Sequence, residues 1–296
     1  MRNSTKHLRM QVKELIKALK ENSGRYEEFL RFAGKMSIRR YSATNMWLIF
    51  SQKPDAKYVL GMKSWNRFGR RVKKGERGIA ILAPVIKTLK EEVENEIVEK
   101  EKLVGFKTTY VWDISQTEGK PLPVETFAKP VEGKKNFNSI ISRFKVKVDV
   151  RKLYGANGAT DGFTIFIEKS LPDVHKVKTF FHELTHMKYH FSLEGKRKKK
   201  EVKELEAETS AMIICSYLGI DTTSYSIDYM TLWSQLPDKE LEKAITNGFK
   251  YANEIIKILE VENEISETKD VSKRVPRPDR IKHQGSSGKV ESGCLV

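Results

Sequence analysis

The run His182, Glu183, Leu184, Thr185, His186 constrains this chain more than any other stretch, because it calls for a helix and for a second element packed beside it. Side chains four apart on a helix lie one above the other, so His182 and His186 can offer two imidazoles to one cation. Glu183 then sits beside the ion as general base for a water. The flanks suit such a helix. Ser170, Leu171, Pro172 and Asp173 read as its start, and Val174, Val177, Phe180, Phe181 and Leu184 form an apolar stripe.

A hydrolytic metal site needs a third protein ligand and an open fourth position. The stretch from Glu201 to Leu218 supplies candidates: Glu204, Glu208, Ala211, Cys215 and Leu218 fall on one helical stripe that Gly219 can end. Carboxylates on an inward face are costly unless paired or bound to metal. Glu204 is the expected ligand, with Glu208, one turn on, orienting a histidine; the reverse assignment keeps the same spacing. Glu206 is expected at the surface. His190 lies about 12 Å along the axis from His182, too far to share its ion, and is expected to face solvent. The basic run from Lys196 to Lys200 reads as an exposed loop that could touch phosphate.

A chain of 296 residues with 39% hydrophobic content can build two modest cores. Its formal charge of +16 and pI near 9.6 favour an anionic partner, nucleic acid ahead of membrane. Two cysteines, Cys215 and Cys294, make no disulfide framework, and no apolar stretch is long enough for a signal sequence or a span, so a cytoplasmic protein without membrane contact is expected.

Apolar periodicity predicts helices over Leu8 to Leu19, from Arg25 onward and over Ser42 to Ser51. Strands at Gly78 to Ile86 and Leu103 to Ile114 flank a charged stretch that reads as the arms and tip of a hairpin. Pro121, Pro123 and Pro130 mark a linker. Beyond it come a helix at Phe137 to Phe144, strands near Lys145 to Val150 and Phe163 to Ile167, the two helices of the metal site, and further helices at Tyr229 to Trp233 and Leu241 to Leu259. From about Glu262 the polar composition suggests a flexible tail.

From Lys57 to Lys87 there are nine Lys or Arg and a single acid, Glu76, interleaved with Tyr58, Trp65 and Phe68. Cations follow a phosphate backbone and exposed aromatic faces accept unpaired bases, as a single-strand binder requires. The alternative is that Trp47, Trp65 and Phe68 are core and the charges only solubilise the surface.

Tyr41, Ser42, Asn45, Leu48, Ile49 and Gln52, then Gly61, Trp65, Gly69, Val72, Lys74, Gly75, Glu76, Gly78, Ile79, Ile81 and Pro84, resemble the N-terminal domain of the ArdC antirestriction proteins. Asp113, Ile114, Ser115, Gln116 and Thr117 continue the likeness, followed in order by the histidine helix, Glu204, Leu205, Ala207 and Glu208, and Tyr229 to Trp233. Met187 departs from the Trp that often follows the second histidine in that family.

The resemblance implies an α+β chain of two domains. Residues 1–124 would form an α+β single-stranded-DNA-binding domain, residues 125–261 a mainly helical, zincin-like metallopeptidase domain, and residues 262–296 the tail. It implies a protein of a conjugative mobile element that accompanies incoming DNA and protects it from restriction, with single-stranded DNA as partner and room for a host protein substrate. Expected nucleic-acid contacts are Tyr41, Asn45, Lys63, Trp65, Arg67, Arg70, Arg71, Lys73, Lys74 and Arg77.

One zinc ion held by His182, His186 and Glu204, with Glu183 as catalytic base, completes the reading. The competing possibilities are a DNA-coating protein whose metal is structural and, less favoured by an imidazole-rich site, a metal-dependent nuclease.

Overall fold

The computed structural model describes residues 4–21, 23–36, 41–93, 96–122, 136–222 and 236–267. The expected helix at Tyr229 to Trp233, Pro123, Pro130 and residues 268–296 lie outside them.

Three helices open the chain: α1 (Thr5–Glu21), α2 (Ser23–Met36) and α3 (Ala43–Gln52). Leu8, Val12 and Ile16 of α1 and Tyr26, Phe29, Leu30 and Ala33 of α2 turn inward at helical spacing. The Ser42 hydroxyl accepts the amide of Asn45 and so starts α3. There follow β1 (Val59–Leu60), α4 (Met62–Arg67) and β2 (Arg70–Val72), then the long hairpin of β3 (Ile79–Val93) and β4 (Glu96–Asp113), and β5 (Thr117–Gly119). One sheet has the order β1-β4-β3, antiparallel throughout, with a register shift between Val85 and Ile86; β2 pairs with β5 separately. The charged stretch is therefore strand almost to its tip, since alternate residues of an isolated ribbon can both face water.

The outer margin of β3 is closed by side chains of α3. Gln52 exchanges two hydrogen bonds with Ala80, accepting from its N–H and donating to its carbonyl, both at 2.9 Å. Asn45 does the same with Leu82, at 2.9 and 2.8 Å. The two amides lie two turns apart on one helix face and meet alternate residues of the strand, as a neighbouring strand would. Asp113 accepts from the amides of Lys57, Tyr58 and Ser115, and its backbone N–H donates to the Gln116 side-chain oxygen.

The second half contains α5 (Phe137–Ile141), β6 (Lys147–Arg151), β7 (Gly158–Thr160), β8 (Thr164–Glu168), α6 (Asp173–Tyr189), α7 (Leu193–Lys196), α8 (Lys200–Tyr217) and α9 (Asp238–Glu267). Its sheet has the order β6-β8-β7, parallel then antiparallel. Helix α9 continues past Glu262, where the sequence alone suggested a tail. Helix α8 ends where Gly219 takes a φ of 66°.

Helix α8 is the shared element. It packs against α6, α9 and α2 and is buried from Leu205 to Cys215 without a solvent-facing stripe. The Tyr26 hydroxyl of α2 meets that of Thr209 at 2.7 Å, and Ser216 donates to the Arg31 carbonyl at 2.8 Å. One continuous apolar cluster consequently runs from Leu8 of α1 to Leu259 of α9. Among the described residues no helix is long and apolar enough to cross a membrane.

Candidate metal centre

Helices α6 and α8 pack against one another, and His182 and His186 come to face Glu204. One atom from each converges: His182 Nε2 and His186 Nε2 are 3.1 Å apart, and Glu204 Oε2 lies 3.3 Å from the first and 3.7 Å from the second. Tetrahedral ligands at zinc distances of about 2.0–2.1 Å stand roughly 3.3–3.4 Å from one another. These three residues form a group able to hold a metal ion.

The outer nitrogens explain why the inner ones point inward. His182 Nδ1 is 3.1 Å from Glu208 Oε2, and a carboxylate only accepts, so the ring donates there and turns its Nε2 lone pair to the centre. Glu208, only 1% exposed, is balanced by buried Lys178. On His186 the outer contact is a chain: its Nδ1 meets His190 Nδ1 at 2.9 Å, and His190 Nε2 meets Glu206 Oε2 at 2.8 Å. Glu206 again only accepts, so His190 donates to it and receives from His186. Burial keeps the His190 pKa low, which suits that neutral ring, although Glu206 pulls the other way. With the rings in these tautomers, two lone pairs and a carboxylate oxygen face one another, an arrangement that a cation would satisfy.

Without an ion a proton serves. Burial opposes charge on His182, yet hydrogen bonds to Glu204 and Glu208 outweigh it and raise the pKa to about 10. Burial likewise works against ionised Glu204, but the two imidazoles hold its carboxyl far below the usual range. Glu183 goes the other way: burial raises its pKa, despite both histidines. Its side chain lies against Gly158 of β7, where an added Cβ would stand 3.0 Å from Glu183 Oε1 and 2.5 Å from Thr179 Cγ2. Only a glycine lets that strand approach α6 so closely.

Two expectations are corrected here. Glu206, expected at the surface, is fully buried, held by Lys198 at 2.7 Å and Asn247 at 2.7 Å as well as by His190. His190, expected in solvent, is 4% exposed.

The expected nucleic-acid contacts separate into three groups. Trp65 is fully buried and donates its indole N–H to the Trp112 carbonyl, so it offers no face to a base, and the amide of Asn45 is spent on Leu82. Both assignments are withdrawn. Tyr41 is half-buried with its hydroxyl on the Val59 carbonyl; Arg70 ties β2 to Thr117, Arg71 pairs with Glu118, and Lys73 reaches the Ser115 carbonyl. Lys63, Arg67, Lys74 and Arg77 are exposed. Phe106 and Tyr110 are 40% and 42% exposed on β4. Their even spacing puts them on one face of the strand.

Residues 6–112 match the family model for the N-terminal domain of anti-restriction factor ArdC. The crystal structure of the antirestriction protein ArdC from plasmid R388, in metal-free form, superposes with a TM-score of 0.52 at 18% identity, over 75% of this chain and 86% of that one. Its Mn(II)-bound form gives a TM-score of 0.49 at 18% identity, over 74% and 84%. An uncharacterized protein of Bacillus anthracis, pXO2-81, is 24% identical over 84% of this chain; the chain spans about half, 51%, of that relative's length.

Proposed function

We propose that this ArdC-like protein is an antirestriction factor that holds single-stranded DNA through its N-terminal half and carries a zinc-dependent hydrolytic centre of metallopeptidase type. The observation that carries the reading is the convergence of His182, His186 and Glu204 beside a desolvated Glu183. These three side chains would hold the ion, which supplies when bound the positive charge that acidifies water and polarises a carbonyl. Glu183 takes the proton from the attacking water and returns it to the leaving amine. Glu208 and the pair of His190 and Glu206 keep the two imidazoles aimed while this happens.

On the DNA side, Lys63, Arg67, Lys74 and Arg77 supply charge for phosphates, and Tyr110 supplies a face for a base, while the Phe106 ring is already covered by the Arg9 guanidinium at 5.4 Å. The mobile-element setting and the cytoplasm, where incoming DNA would be met, belong to the same proposal.

The test compares wild type, Glu183→Gln and Tyr110→Ala for zinc content, single-strand binding across salt, and protection of DNA from restriction. Glu183→Gln should keep zinc and DNA but lose protection. Full protection by that variant would leave DNA coating as the function and the ion as a structural support. Tyr110→Ala should weaken single-strand binding by about 1–3 kcal/mol, with little change in the salt slope.

A further inference from the structure

The basic run after α6 divides by what each lysine meets. Lys198 is bound to Glu206 and Lys199 to Glu240. Lys196, Lys200 and Lys203 instead line the cleft of about 690 Å³ that contains His182, Glu183 and Glu204. They have no ion pair among the described residues. Of the cleft's three carboxylates, Glu204 is held by the two imidazoles and Glu208 by Lys178 and His182, while Glu183 makes no ion pair among the described residues. The wall is also fixed in place. The Ser192 hydroxyl accepts the Gly195 amide to start α7, and Gly195 is buried against the Tyr189 carbonyl, leaving no room for a side chain.

We propose that this wall selects acidic polypeptide segments, so that the cleft's substrate carries Asp or Glu on the side lying along α7 and the start of α8. The proposal rests on the hydrolytic reading of the site. Lys196 and Lys200 are exposed and Lys203 is half-buried, and a cation row along the rim of a concave cleft attracts anions more strongly than the same charges on an open face. The opposite wall is β7, the outer strand of its sheet, whose main-chain groups match a polypeptide backbone and not a sugar–phosphate one. A nucleic-acid strand is therefore the disfavoured anion here.

The test uses the full chain, zinc-loaded and carrying Glu183→Gln, with fluorescent peptides of one length that are Glu-rich, Gln-rich or Lys-rich, and a single-stranded oligonucleotide as competitor. Lys196, Lys200 and Lys203 are changed together to Gln. A control changes Lys239, Lys243 and Lys250, exposed on α9, by the same net charge. The cleft variant should lose about tenfold in affinity for the Glu-rich peptide, while the control stays within about twofold. Equal losses in both variants would reduce the effect to net charge and overturn the proposal. So would displacement of the peptide by the oligonucleotide with an equal loss of DNA affinity in the cleft variant. Turnover of the same peptides by protein with Glu183 intact is read separately: selective binding without cleavage sinks the hydrolytic reading alone, and cleavage without charge preference sinks this one alone.

Discussion

At the residue scale, a carboxylate with no solvent contact at position 206 is the least expected feature of the site, and its role follows from what it touches. Glu206 fixes the proton on His190, and His190 fixes the tautomer of His186. Glu206→Gln keeps the size but offers His190 a neutral partner, and its amide nitrogen is a donor where the ring also donates. Zinc affinity, measured by competition with a chromophoric chelator, should fall about 10- to 100-fold. A change below twofold would reduce Glu206 to a packing role. The pattern of His182, Glu183, His186 and Glu204 was legible because helical spacing alone sets it. The chain through His190 was not, because a helical wheel assigns α8 one buried stripe while three helices enclose it.

At the element scale, the hairpin was legible from its alternation, whereas the seal along its margin depends on a helix nearly thirty residues away in sequence. Asn45 reads equally well as a ligand-facing amide until its partner on β3 is seen. Each amide answers both main-chain groups of one strand residue, and leaving those groups unmet costs about 1–3 kcal/mol. Asn45→Ala combined with Gln52→Ala should therefore lower unfolding free energy by roughly 2–6 kcal/mol in urea titration. Loss of less than about 1 kcal/mol would show that water replaces the amides without penalty. Short pieces such as β1, β2, β5 and β7 carry too few residues for a periodic signal, so their pairing is set by tertiary contacts alone.

At the scale of the whole molecule, the sequence suggests two bodies joined by a proline-marked linker, and that organisation is still the frame of the proposed function. Yet α2 rests on α8, and the apolar cluster passes between the halves without interruption. Composition cannot show this, since a stripe such as Tyr26, Phe29 and Ala33 reads the same whichever helix covers it. Heat unfolding should give one calorimetric transition whose calorimetric and van't Hoff enthalpies agree, and zinc should move the whole transition upward. Two separated transitions, with zinc shifting only one, would show the halves to be independent.

A shared helix also bears on inheritance. Modular proteins tolerate the exchange of one half for a distant cousin's. Here the faces of α2 and α8 must be inherited together, down to the hydroxyl pair of Tyr26 and Thr209 and the contact of Ser216 with the Arg31 carbonyl. A crossover between them would join two well-formed halves whose faces no longer fit.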